Sequence, residues 1–292
     1  MNDSERCTIR LGDGRSLGYA VYGAPDGPPV FYFTGGNSSR LEGRWFDAKA
    51  TAQGVRLIVP DRPGFGLSDF QPGRRILDWA DDVGELAGEL GIDRFALFGL
   101  SGGGPHVAAV VHASPERVSR AAIVSGLAPP EMPRRYTGMW LPVRVLFLLA
   151  RRLPPLHRVA LRQMARFYSD PVKMRQQMIR GLPQPDRELV EARPEVIDVF
   201  SAAAREAHRN GIEGDAWEWQ LYVRPWGFDL AALPLPVGLW YGSVDGNAPE
   251  AMGRYLAEKI PRATLRVVPD GGHFSTIHNH IDEIFEYLLS PP

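Results

Sequence analysis

The chain has 292 residues, 44% of them hydrophobic, and 33 Lys and Arg against 34 Asp and Glu give a net charge of −1. That length supports one large domain or a domain carrying an insertion, and the balanced charge excludes a global basic field of the kind nucleic acid or an anionic membrane selects. The single cysteine, Cys7, excludes an internal disulfide and a thiolate metal cluster. No run approaches the roughly 18 apolar residues of a membrane span, and the opening residues are charged and polar, without the apolar core of a signal peptide. The expectation is a soluble, cytoplasmic protein with no nucleic-acid or membrane partner; its oligomeric state is left open.

In chain order, Thr8 to Leu11 and Leu17 to Tyr22 alternate polar and apolar residues around Asp13-Gly14, which predicts a hairpin. Val30 to Phe33 is a continuous apolar run, as in a strand buried on both faces. It ends in Thr34-Gly35-Gly36-Asn37. Trp45 to Gln53 reads as a helix stopped at Gly54. Val55 to Val59 is the next buried strand, closed by Asp61-Arg62-Pro63-Gly64-Phe65-Gly66. Ile76 to Leu90 has helical periodicity and stops at Gly91.

Phe95 to Leu100 is a further buried strand, and it breaks into Gly99-Leu100-Ser101-Gly102-Gly103, which fits G-x-S-x-G. Pro105 to His112 then reads as a helix, with Pro tolerated in the first turn because its missing N–H would have no partner there. Strand, tight turn, helix is the setting a nucleophile elbow requires. The bare pattern also arises by chance as a glycine-rich turn, so the rest of the chain must decide. Val118 to Ser125 adds one more strand.

From about Leu127 the texture changes. Pro129, Pro130 and Pro133 open a stretch of helical patterns, Arg and Met that runs to Pro225 without a comparable strand signal. Arg134, Arg135, Arg144, Arg151 and Arg152 lie there among apolar residues and read as a solvated helix face. The strand pattern returns at Val237 to Gly242 and Thr264 to Val268, with helices at Ala248 to Ile260 and Phe274 to Leu289. Alternating strands and helices predict an α/β fold, a mostly parallel sheet with helices on both faces. The expected division is a core of residues 1–127 and 227–292 and a helical cap of residues 128–226.

Ser101, Asp245 and His273 each follow a strand, in the order Ser, Asp, His. Gly99-Leu100-Ser101-Gly102-Gly103, Asp61-Arg62-Pro63-Gly64-Phe65-Gly66-Leu67-Ser68, Tyr241-Gly242-Ser243-Val244-Asp245 and Gly271-Gly272-His273-Phe274 together carry a resemblance. With them the chain resembles the capped, esterase-like α/β-hydrolases, over about two thirds of its length. The resemblance implies Ser101 as nucleophile, His273 as general base and acid, and Asp245 as the group that holds the imidazole tautomer. It implies an oxyanion hole from the backbone N–H groups of Gly102 and Gly36. The family usually has His-Gly where this chain has Thr34-Gly35. Asp61, Arg62 and Arg40 read as residues that shape a loop. A cap on the helix near Ala248 is the competing reading of Asp245. His106, His112, His157, His208, His278 and His280 read as surface or packing residues.

These residues point to a serine hydrolase that cleaves an ester, thioester or lactone of a small apolar substrate. Trp140, Phe147, Trp217 and Trp219 are candidate walls of its pocket. No His, Asp or Glu spacing suggests a metal, and no cofactor is expected. The alternatives are a carbon–carbon hydrolase or a biosynthetic cyclase or lyase of the same fold, and a ligand-binding protein without catalysis.

Overall fold

The computed structural model describes residues 2–168 and 170–291, apart from the side chains of residues 177, 178 and 180. Its eight strands are β1 (Cys7–Arg10), β2 (Ser16–Gly23), β3 (Pro29–Phe33), β4 (Arg56–Pro60), β5 (Phe95–Leu100), β6 (Val118–Val124), β7 (Val237–Gly242) and β8 (Ala263–Val268). They form one sheet in the order β1-β2-β4-β3-β5-β6-β7-β8. The hairpin predicted at the start of the chain is β1 with β2, and β2 also runs antiparallel to β4. All other pairs are parallel.

The central strands are buried throughout, because helices cover both faces. Alternate residues therefore enter different cores. On one side Phe31, Phe33, Leu97, Ile123 and Leu239 pack with α2 (Trp79–Glu89), α3 (Gly104–Ala113) and α10 (Glu250–Lys259). On the other, Val30, Tyr32, Phe98, Val124 and Trp240 meet α11 (His273–Leu289) and α1 (Asp47–Ala52). Edge strand β8, open on one side, alternates half-buried and exposed residues along most of its length.

Several boundaries differ from the sequence reading, and at two helix starts the cause is visible. The helix expected from Trp45 begins earlier as a 3-10 turn, Arg40–Trp45, and becomes helical only at Asp47. Asp61 accepts the Arg40 N–H at 2.6 Å and holds that turn from outside the segment. The helix expected from Ile76 starts at Trp79, because the Asp78 carboxylate accepts the Arg75 N–H at 2.8 Å and closes a turn before it.

Residues 128–226 carry α4 (Leu141–Arg152), α5 (Pro154–Tyr168), α6 (Pro171–Gly181), α7 (Gln184–Ala192), α8 (Glu195–Ala207) and α9 (Glu213–Tyr222), all between β6 and β7. Met174, Val190 and Ile197 form a small core of this segment, while Phe147, Leu161 and Trp219 join the large core below it. No helix among the described residues is long and apolar enough to cross a membrane.

Candidate active site

The end of β5 sets the geometry. Ser101 has φ of +52°, a left-handed backbone that a non-glycine residue adopts only when its surroundings impose it. The imposition is steric crowding on both sides. A Cβ on Gly99 would lie 2.7 Å from the Gly103 backbone, and one on Gly103 would lie 2.2 Å from the Phe33 carbonyl oxygen. Strand, turn and helix can approach this closely only because both positions lack a side chain. Ser101 lines a cavity of about 420 Å³ between the sheet and the inserted helices.

The loop after β3 leans on the same serine. Its carbonyls are gripped by Arg62, whose Nη1 donates to Thr34 O at 2.7 Å and Nη2 to Gly35 O at 2.9 Å. Glu42 accepts the Gly35 N–H at 3.1 Å and the Tyr32 hydroxyl. Burial raises the Glu42 pKa above its ordinary value, against these hydrogen bonds. Gly36, next along, faces the elbow: its N lies 3.2 Å from where a Cβ on Gly102 would sit. Arg62 and Glu42 thus fix the loop around Thr34, the position at which the chain departs from the usual His.

Asp245 and His273 meet at the ends of β7 and β8. Asp245 Oδ2 lies 2.8 Å from His273 Nδ1. A carboxylate oxygen must accept, so the proton sits on Nδ1 and Nε2 is left with its lone pair. Asp245 Oδ1 accepts the N–H groups of Asn247 at 2.7 Å and Ala248 at 3.0 Å. Turn-capping and histidine-holding, weighed as competing readings, are both made, by different oxygens. Burial of His273 disfavours its charged form. The charge and hydrogen bond of Asp245 outweigh that, aided by Asp186 and Glu42, and the His273 pKa rises above its ordinary value. Among the described residues no hydrogen bond joins Ser101 Oγ to the imidazole; such contacts often tighten only around bound substrate.

Two groups of residues near the site escape a reading of the sequence. The first is Asp186 of α7, a fully buried carboxylate. It accepts the N–H groups of His273 at 2.8 Å, Phe274 at 3.2 Å and Ser275 at 2.7 Å, and the Ser275 hydroxyl at 2.7 Å. It thereby satisfies donors left open at the start of α11, where an acidic side chain also complements the helix dipole. The cap comes from another helix far along the chain, so no local spacing announces it.

The second group is centred on Glu218 of α9, fully buried between Arg62 and Arg74. Burial opposes its ionisation, but the two guanidinium groups prevail and hold its carboxyl at about 2. The Tyr222 hydroxyl reaches Glu218 Oε1 at 2.8 Å and Gly102 O at 3.1 Å. His106, read from sequence as a surface or packing residue, lies buried beneath the elbow with Nδ1 3.0 Å from Gly102 O. Burial presses its pKa down to about 3, so it is neutral there. The adjacent Pro105, in the first turn of the elbow helix, is the one local signal for its position. Asp61 and Arg40 pair at 2.8 Å and are fully enclosed, which agrees with a loop-shaping role.

Of the four candidate wall residues, Trp140, Phe147 and Trp219 line the cavity. Trp217 does not. Successive helical residues turn by about 100°, so positions two apart in α9 point nearly opposite ways. The Trp217 Nε1–H donates to Arg74 O at 2.9 Å, and the ring borders a separate cavity of about 230 Å³ beside Phe70 and Arg224. Phe167, Tyr168, Phe200, Tyr222 and Phe274 complete the aromatic lining around Ser101.

The family model for the alpha/beta hydrolase fold matches residues 28–279. A non-heme chloroperoxidase of Streptomyces lividans is 35% identical over 127 residues, 42% of this chain and 45% of that protein, so the chain spans less than half the length of that curated relative in the match. Among solved structures, a hydrolase from Pseudomonas aeruginosa PA01 superposes with TM-score 0.71 at 20% identity, covering 99% of this chain and 100% of that one. A thermophilic esterase from Thermogutta terrifontis gives TM-score 0.68 at 24% identity, covering 98% and 99%. At these identities the structural likeness speaks for the fold. Together with the family match over most of its length, the sheet order and the elbow at Ser101 establish that this chain belongs to the alpha/beta hydrolase family.

Proposed function

We propose that the chain is a serine hydrolase that cleaves an ester, thioester or lactone of a small apolar substrate through an acyl-enzyme on Ser101. In this reading Ser101 Oγ attacks the carbonyl carbon while His273 Nε2 takes the hydroxyl proton. The N–H groups of Gly36 and Gly102 receive the developing oxyanion. His273 then passes the proton to the departing alkoxide or thiolate. Water attacks the acyl group with the same histidine as base, and Ser101 is regenerated. Asp245 keeps the proton on Nδ1 and stabilises the imidazolium.

One observation carries the reading: Asp245 accepts a hydrogen bond from the Nδ1–H of His273 at 2.8 Å, leaving Nε2 basic, while strand β5 of the same sheet holds Ser101 at φ of +52° against an apolar cavity. Residues 128–226 act in this reading as a cap, since Trp140, Phe147 and Trp219 supply wall of the cavity that Ser101 also lines. A cavity of about 420 Å³ suits a small ligand. Covalent labelling by a fluorophosphonate, lost in Ser101→Ala, together with turnover of short p-nitrophenyl esters, tests it. Absence of labelling in the folded protein would overturn it.

The likeness to a chloroperoxidase favours a second reading, chemistry other than hydrolysis at the same serine. Labelled protein that leaves the esters intact would support that instead. The departure at Thr34, which alone favoured a non-catalytic binding protein, loses weight because Arg62 and Glu42 hold the loop.

A further inference from the structure

Between Met132 and Tyr168 the sequence has eight arginines and no Asp or Glu. Most of that stretch is α4 and α5, which pack against each other. Read from sequence alone, its arginines belong to a solvated helix face. In the structure Arg135 is buried, while Arg134, Arg144, Arg151 and Arg152 are exposed as expected, but with exposed apolar side chains among them. Of the ten large hydrophobic side chains that are exposed among the described residues, six stand between Trp140 and Val159. Leu141 is 67% exposed and Leu156 56%. Leu141 and Val145 are one helical turn apart, on the same outer face as Arg144 and Arg152. Arg151, Arg152, Leu153 and Leu156 are all exposed where the two helices join. Among the described residues Arg144, Arg151 and Arg152 make no ion pair.

Exposed leucine and valine interleaved with unneutralised arginine is the surface of an interfacial amphipathic element, not of a solvated one. We propose that the outer face of α4 and α5 docks on an anionic lipid surface. The occupant follows from charge and apolarity together. A second copy seated through the same face would set arginine against arginine. Nucleic acid would use the arginines but leave the leucines against phosphate. An anionic bilayer takes both, the side chains of Leu141, Val145 and Leu156 entering the acyl boundary and the guanidinium groups meeting headgroups. Such a peripheral seat requires no spanning helix. Trp140 is half exposed and also lines the Ser101 cavity, so the docking face abuts the candidate site.

The test is flotation of the intact protein with vesicles of equal parts phosphatidylcholine and phosphatidylglycerol, against vesicles of phosphatidylcholine alone. The expected result is binding to the anionic vesicles only, weakened by salt. Replacing Arg144, Arg151 and Arg152 together by Gln should weaken it on the order of 100-fold, at about fivefold per arginine. Leu156→Ser with Val159→Ser should weaken it too, with the thermal melt retained in both variants. No binding of the wild type to the anionic vesicles would overturn the proposal, as would equal binding to both vesicle types. A dimer in solution that the Leu156 and Val159 changes dissociate, or salt-sensitive capture of an acidic protein in place of vesicles, would also overturn it.

Discussion

Gly36 N stands 3.2 Å from the point that a Cβ on Gly102 would occupy, although the two residues belong to loops after different strands. The same Cβ would strike the Tyr222 hydroxyl at 2.2 Å, whereas a Cβ on Gly36 would meet nothing within 4 Å. The two glycines therefore differ in what they need to be. Gly102 must be glycine for space. Gly36 needs only its N–H.

This asymmetry makes the oxyanion assignment testable. Gly36→Ala keeps the donor and should fold with kcat/KM within a fewfold of wild type. Gly36→Pro removes the donor and should lose about 100- to 1,000-fold in kcat. Equal activity of the two, with matching thermal melts, would remove Gly36 from the mechanism.

Asp245→Asn should lower kcat by about 10,000-fold while leaving the cavity intact, because an amide N–H in place of Oδ2 favours the wrong imidazole tautomer. Ser101 should still be labelled by a fluorophosphonate, only more slowly. Unchanged turnover of an ester would sink the role given to Asp245.

In the proposed mechanism the acid limb of kcat/KM should report His273. The base must be neutral, and protonation disables it, so a pKa raised above 6.5 means that activity falls as pH drops through a value above 6.5. Asp186 contributes to that rise from the start of α11. Asp186→Asn should therefore shift the limb to lower pH. Asp186→Ala should also leave buried N–H groups unpaired and destabilise the fold by roughly 1–3 kcal/mol for each. A limb that stays in place in Asp186→Asn would limit Asp186 to structural support.

Glu218→Gln strands Arg62 and Arg74 in the interior without a counter-charge. Breaking a buried pair in this way costs about 3–5 kcal/mol, read as loss of unfolding free energy in denaturant. Tyr222→Phe, which removes only hydrogen bonds to Glu218 and Gly102, should cost about 1 kcal/mol. Similar losses in the two variants would show that the charges of Arg62 and Arg74 are balanced elsewhere.

Trp140→Ala should raise KM for an apolar ester about tenfold, equivalent to about 1.4 kcal/mol of lost contact, with little effect on stability because the ring is half exposed. Trp217→Ala should leave KM near its wild-type value, since that ring lies outside the Ser101 cavity. The reverse pattern would place the substrate in the other cavity.

The amino-acid sequence alone determined the alternation of strands and helices, the turn at Ser101, and the placing of Ser101, Asp245 and His273 just past β5, β7 and β8. Each of these is a local matter, because apolar runs, glycines and helix starts impose their geometry within a few residues. Tertiary structure decided the rest. Asp186 reaches His273 across 87 positions, and Arg62 and Glu218 find each other only when α9 lies against the loop after β4. Trp217 and Trp219 look alike in sequence and part company by the rotation of one helix. The outer leucines of α4 and α5 carry the same apolar periodicity as buried ones. Whether such a stripe meets a core or the surroundings depends on what the fold brings opposite, and spacing along a chain holds no record of that.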